Sequence, residues 1–312
     1  MRMIKDYRDF VAMQIQPMFA TFTRTWLCVE PIASLGNIMV FRFPYKAALL
    51  ASAFFYMPAH ALESSWVEAG RAEVRMLADT SADNSIRAGI EIKLQPGWKT
   101  YWRYPGDAGV PPRFDWSGSE NLAYAEVRWP APEKFIDESG AKSIGYHDRV
   151  LFPVSIIAAD PAQPVKLRLK IDFALCDKLC MPAEAQLGLN LPLQLGDLSE
   201  SIQLAEASVP SRVPLGKKGE LAITKVNVER GAKPRAIIDI AAPPDIAVQL
   251  FAEGPNEKWA LPLPEKIEPV NGLTRFALDF DGAPPGSAAI PPKILLTLVA
   301  GNDAIEVEVP LE

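Results

Sequence analysis

From Val67 onward, apolar and polar residues alternate at spacing two through most of the chain. Ile86, Ala88, Ile90, Ile92 and Leu94 share one parity, the pattern of a half-buried strand. Gln95-Pro96-Gly97 then breaks the run, since Pro-Gly favours a turn. Val150 to Ile156 reads as another strand, in which Pro153 cannot donate to a ladder and so predicts an edge or a bulge. The cleanest alternation is Val165, Leu167, Leu169, Ile171, Phe173 and Leu175, followed by Leu187, Leu189, Leu191 and Leu193. Residues 198–208 carry the one helical pattern, with Ser199 as its N-cap. Pro210, Pro214 and Gly216-Lys217-Lys218-Gly219 have the composition of a linker. Beyond it, strands are expected at 221–228, 236–240, 247–252, 274–280, 294–298 and 305–309, separated by turn signals. The expected fold is all-β: two immunoglobulin-like β-sandwich domains, 63–197 and 217–312, joined by a short helix and linker at 198–216.

Composition supports that class, because 29 prolines and 19 glycines are many for a helical protein of 312 residues. The region ahead of the alternating pattern reads differently. Arg42 and Lys46 form a basic n-region, Ala47 to Met57 an apolar stretch, and Ala59-His60-Ala61 a small-residue cleavage site. That is the layout of a secretory signal peptide over 39–61, and eleven apolar residues are too few to span a bilayer, which takes about 20. Residues 1–38, with Cys28, then read as a non-native or disordered extension ahead of a start at Met39. The expectation is an exported, periplasmic protein with no lipid insertion after cleavage. After Ala61 the chain holds 26 basic and 35 acidic residues, and so acidic a surface repels phosphate backbones. Nucleic acid is not an expected partner.

Two cysteines remain after Ala61, Cys176 and Cys180, in a compartment where disulfides persist. Fully extended, four residues of strand separate their Cα atoms by about 13 Å. A disulfide needs roughly 4.4–6.8 Å. Bridging therefore requires the chain to turn at Asp177-Lys178-Leu179, a three-residue hairpin loop with the cysteines as the first cross-strand pair. The apolar residues of the incoming strand are odd-numbered and Lys166, Arg168, Lys170 and Asp172 even, so Cys176 takes the outward parity. Cys180 shares it with Glu184 and Gln186. Three readings stay open. A stapling disulfide is the common fate of exported cysteines, yet so short a loop gains only about 2 kcal/mol. An exchange-active pair fits two outward sulfurs within reach of a partner thiol. Cu(I) handling would use the two thiols and Met181. The single histidine after Ala61, His147, offers neither a triad nor a further ligand set, and no phosphate loop appears. No cofactor and no dedicated metal site are expected.

Three stretches carry a resemblance to a known family. They are Pro96-Gly97-Trp98-Lys99-Thr100-Tyr101-Trp102 running on to Phe114-Asp115-Trp116, then Ile144 to Val154, and the loop Cys176 to Pro182. Together they resemble the N-terminal periplasmic domain of the DsbD family of thiol:disulfide interchange proteins, in its ScsB-type variant. The resemblance implies an immunoglobulin-like sandwich and a protein-disulfide reductase. Reducing equivalents would pass from a membrane-embedded electron carrier of the DsbD/CcdA type to disulfide-containing periplasmic clients. It assigns Cys180 as the attacking thiol and Cys176 as the resolving one. Asp137 and Glu138 match the acidic start of a loop that caps the disulfide with aromatic residues in relatives. Here the cap positions are Ser139 and Gly140, neither aromatic, so shielding is either absent or supplied by Tyr146 or Trp102. The chain has neither a transmembrane segment after Ala61 nor a C-x-x-C motif, so the electron donor is expected to be a separate protein. The aromatic group Trp98, Tyr101, Trp102 and Tyr104 reads either as packing at the sandwich end or as a docking surface beside the hairpin.

Overall fold

The computed structural model describes residues 62–80, 85–106, 109–138, 140–193, 199–270 and 272–311, all of which belong to one compact unit. The expected signal peptide and the extension before it lie outside the described residues.

The alternating runs form strands. In chain order they are β1 (Leu62–Glu63), β2 (Val67–Ala69), β3 (Ala72–Thr80), β4 (Ile86–Leu94), β5 (Lys99–Gly106) and β6 (Arg113–Asp115). There follow β7 (Leu122–Val127), β8 (Glu133–Ile136), β9 (Lys142–His147), β10 (Arg149–Ala158), β11 (Val165–Cys176) and β12 (Cys180–Leu191). One sheet runs β1-β3-β4-β10-β7, with β2 on β3; the other runs β12-β11-β5-β9-β8, with β6 on β11. The chain switches sheets at Asp148, whose φ of 54° makes the sharp corner between β9 and β10. The two sheets face each other across one apolar layer. Ile90, Ile92, Phe152 and Val154 meet Leu167, Leu169, Ile171, Phe173 and Leu175 there. Phe114, Trp129 and Tyr146 pack edge-on against Phe152, with ring centroids 5.2–5.7 Å away. Each such aliphatic side chain, fully buried, contributes about 1.5–3 kcal/mol, which is why the parity of β11 is so strongly fixed.

Pro153 is not at an edge, since β10 lies between β4 and β7. Its carbonyl accepts from the Arg128 N–H at 2.8 Å, one residue past the end of β7, so its missing donor faces the place where that neighbour's ladder stops. The ladder bond that the proline cannot donate thus falls beyond the paired part of β7, at the margin of the sheet contact rather than within it.

Among the described residues there is one helix, α1 (Glu200–Ala207), which follows the first sandwich and buries Ile202 and Ala205. Ser199 does occupy the N-cap position, in an extended conformation, but its side chain caps nothing. Its backbone N–H instead donates to the buried Asp79 carboxylate at 2.6 Å, while Glu206 pairs with Arg87 and Arg128. Burial pushes the Asp79 carboxyl above its ordinary value, against the Ser199 N–H and the Arg87 guanidinium, which pull it down.

The second sandwich holds β13 (Ser211–Arg212), β14 (Ala222–Glu229), β15 (Arg235–Ala241), β16 (Val248–Glu253), β17 (Glu265–Val270), β18 (Leu273–Asp279), β19 (Lys293–Ala300) and β20 (Asp303–Pro310). Its sheets are β13-β20-β19-β16 and β14-β15-β18-β17, closed on a core that includes Ile238, Ile240, Leu278, Leu296 and Val307. Phe251, Leu263 and Val299 belong to the core of the first sandwich instead, so the two share apolar packing, with Trp102 of β5 against Phe251 of β16. Among the described residues no helix is long and apolar enough to cross a membrane.

Candidate active site

Strands β11 and β12 pair over their full length, twelve residues each, from Val165 opposite Leu191 to Cys176 opposite Cys180. The turn lies at Asp177-Lys178-Leu179, closed by the Asp177 N–H donating to the Leu179 carbonyl at 3.3 Å. A disulfide joins Cys176 to Cys180, with Cα atoms 4.1 Å apart. That is close to the ~4.5 Å of the nearer class of directly opposed antiparallel residues. The turn predicted from the four-residue spacing is the one observed.

The two sulfurs are not equivalent. Both lie on the outer face of their sheet, as parity requires, but Cys176 is only 4% exposed whereas Cys180 is exposed. The expectation that both thiols are open is therefore corrected for Cys176. Its cover comes from β5, which runs beside β11 so that Lys99 opposes Cys176. Two residues along β5, Tyr101 turns outward and forms a small apolar cluster with Ala174 and Cys176, apart from the main core. The Tyr101 hydroxyl donates to Cys180 Sγ at 3.3 Å, the disulfide sulfur having no proton of its own to give. Burial first, and then the Asp137 carboxylate, push that hydroxyl above the ordinary tyrosine value, so it stays protonated and able to donate. The same strand is held from behind by a close approach. A Cβ on Gly145 would lie 1.9 Å from the Thr100 carbonyl oxygen, so only glycine lets β9 sit this tightly under β5.

Tyr146 and Trp102 do not shield the pair. Tyr146 points into the core, its ring edge-on to Phe152 and its hydroxyl donating to the Pro130 carbonyl at 2.9 Å. Trp102 is fully buried on the side of β5 opposite Tyr101, 5.8 Å from Phe251 of the second sandwich. Alternation along β5 decides this: adjacent residues face opposite ways, so Tyr101 and Trp102 cannot both cover the sulfurs. The aromatic group thus divides, with Tyr101 at the disulfide and Trp102 and Tyr104 against the second sandwich.

Asp137 sits in the turn between β8 and β9, where its Oδ1 accepts the Ala141 N–H at 3.0 Å. It is near enough to Tyr101 to act on it electrostatically. Glu138 is exposed on the same turn. Beside Cys180 two apolar side chains are exposed, Leu179 at the hairpin tip at 80% and Met181 as β12 begins, next to the exposed Asp177 and Lys178 of the turn. Among the described residues no group of three or more His, Cys, Asp or Glu side chains is placed to hold a metal ion.

Comparison with known proteins agrees with this geometry. Residues 65–192 match the family model of the thiol:disulfide interchange protein DsbD, N-terminal. The fold is similar to the crystal structure of the N-terminal periplasmic domain of ScsB from Proteus mirabilis, with a TM-score of 0.62 and 20% identity. That likeness covers 80% of this chain and 98% of the other, more than the first sandwich alone could supply. No curated protein matches the sequence. The segment that builds the first sandwich and carries the cysteine pair is thus a domain of the DsbD N-terminal family, whose chemistry is thiol–disulfide interchange.

Proposed function

We propose that the protein is a periplasmic protein-disulfide reductase. It would relay two electrons at a time from a separate membrane-embedded carrier to oxidised periplasmic proteins through Cys176 and Cys180. The observation that carries this reading is the asymmetry of the pair: one exposed sulfur beside one covered sulfur. Exchange proceeds by thiolate attack in line with the S–S bond, so access selects which sulfur is struck. A carrier thiolate attacks Cys180 Sγ, a mixed disulfide forms there, and Cys176 leaves as the thiolate. The carrier's second thiolate then attacks its own sulfur in the mixed disulfide, releasing Cys180 and closing the carrier's disulfide. The reduced pair repeats the chemistry in the other direction. Cys180 attacks a client disulfide and expels one client thiolate. Cys176 then attacks Cys180 Sγ, expels the second client thiolate and restores the Cys176–Cys180 bond.

Other features support these roles. The Tyr101 hydroxyl is aimed at Cys180 Sγ, which carries the negative charge once the carrier releases it, and a hydrogen bond to a charged group is worth about 1.5–3 kcal/mol. Cys176 remains beneath the ring, where a bulky client cannot follow it, so resolution stays intramolecular. The exposed Leu179 and Met181 give a partner apolar contact on either side of Cys180.

The test is trapping. Cys176→Ala protein, exported and recovered with free thiols blocked, is expected to carry mixed disulfides through Cys180 to periplasmic proteins. Cys180→Ala protein is expected to carry few or none, its remaining thiol being covered. No captured partner in either variant would leave the bond as a structural staple.

A further inference from the structure

Strand β5 changes its support halfway along. Lys99, Thr100 and Tyr101 pair with His147, Tyr146 and Gly145 of β9. After Tyr101 the ladder breaks, resuming only at Gly106 opposite Ser143. Three of the residues in the gap are held by the second sandwich instead. The Trp102 ring packs on Phe251. Arg103 lies over the Trp102 ring at 4.2 Å, donates to both carboxylate oxygens of Glu253 at 2.7–3.1 Å, and also donates to Glu306. The Tyr104 hydroxyl donates to the Leu261 carbonyl. The chain returning from this segment closes on Tyr101. A Cβ on Gly109, where φ is 155°, would lie 2.4 Å from Tyr101 Cε1 and 2.9 Å from Pro105 Cβ. The tyrosine ring therefore sits between Cys176 and the chain at Gly109, and immediately precedes the three residues that the other sandwich anchors.

We propose that the second sandwich is a clamp on the disulfide: Glu253 and Glu306 hold Arg103, fix the bulged segment Trp102–Pro105, and so keep the Tyr101 ring over Cys176. Arg103 is a positioning residue that touches neither sulfur. Its two carboxylate partners are largely buried, and removing them strands a guanidinium in a poorly hydrated interface, which favours release of the bulge. The functional meaning of the clamp rests on the interchange reading above, because a covered Cys176 matters for exchange only if the pair exchanges.

The test uses the full chain carrying Cys180→Ser and follows alkylation of the Cys176 thiol by iodoacetamide under native conditions. Tyr101→Ala removes the cover and sets the upper limit of the rate. Glu253→Gln combined with Glu306→Gln is expected to accelerate labelling about tenfold through local opening. Leu278→Ala, which weakens the core of the second sandwich away from β5, is expected to leave the rate unchanged. If the double variant does not unfold cooperatively, Tyr104→Phe, lacking one anchor, decides, with an expected acceleration of about threefold by the same local opening. An unchanged rate in the folded clamp variant, or equal acceleration in Leu278→Ala, overturns the proposal. Alkylation needs no partner thiol, so the outcomes separate: faster labelling with no trapped clients keeps the clamp and removes the interchange reading.

Discussion

Tyr101 is the residue on which the chemistry of the pair turns. Its ring covers one sulfur and its hydroxyl reaches the other, so the two parts of the side chain have separable effects. Tyr101→Phe keeps the cover and loses the donor. Oxidation of the reduced protein by oxidised glutathione is then expected to slow roughly tenfold, the factor that ~1.4 kcal/mol of charge-assisted hydrogen bonding supplies. An unchanged or faster rate would show that the hydroxyl does not serve the sulfur. Sequence parity correctly sent both cysteines to the outer face, because β11 and β12 obey strict alternation. It could not reveal that Tyr101 arrives over Cys176, since that contact depends on β5 lying beside β11, a neighbour 75 positions away in the chain. Asp137, which the family resemblance singles out, lies in the turn between β8 and β9 and acts on the Tyr101 hydroxyl. The source of the aromatic cover was not legible, because Tyr146 and Trp102 differ from Tyr101 only in which face of their strands they occupy.

At the scale of elements, β4, β10, the hairpin of β11 and β12, and most strands of the second sandwich could be read from alternation and turn residues, and α1 from its cap position. Strands β5 to β9 and β17 could not, since none carries a clean apolar–polar alternation over enough residues to stand above its flanks. Pro153 misled for a related reason: its cost depends on where β7 ends, which is a property of the neighbour. The docking of α1 carries a pH signature. Asp79 has a raised pKa in the folded state, so its protonated form is the better-tolerated one. Its contribution to stability is greatest below the ordinary value of 3.8 and is lost as pH rises through the raised folded value. Urea unfolding of Asp79→Asn against the parent, followed upward from pH 3.5, is expected to show the variant gaining on the parent as pH increases. A difference that stays constant with pH would contradict the assignment.

At the scale of the molecule, the two sandwiches share core residues and a buried ion cluster at β5, so they are expected to unfold together. Thermal unfolding followed by calorimetry should give one cooperative transition, and two well-separated transitions would contradict the shared packing. The overall class, all-β with two sandwiches, was legible in the spacing of apolar residues. The coupling between the sandwiches was not, because Arg103, Glu253 and Glu306 are scattered charges until the fold brings them together. What the assembled molecule presents is a disulfide closing a very short loop, with one sulfur open to a partner. A bond of that kind should be easily reduced, while a staple should not. The reduction potential of the Cys176–Cys180 couple, measured in the full chain against a glutathione or dithiothreitol series, tests this most directly. The account predicts a value above roughly −300 mV, in the range where partner proteins can exchange with it; a value well below that would mark a structural bond and contradict the account.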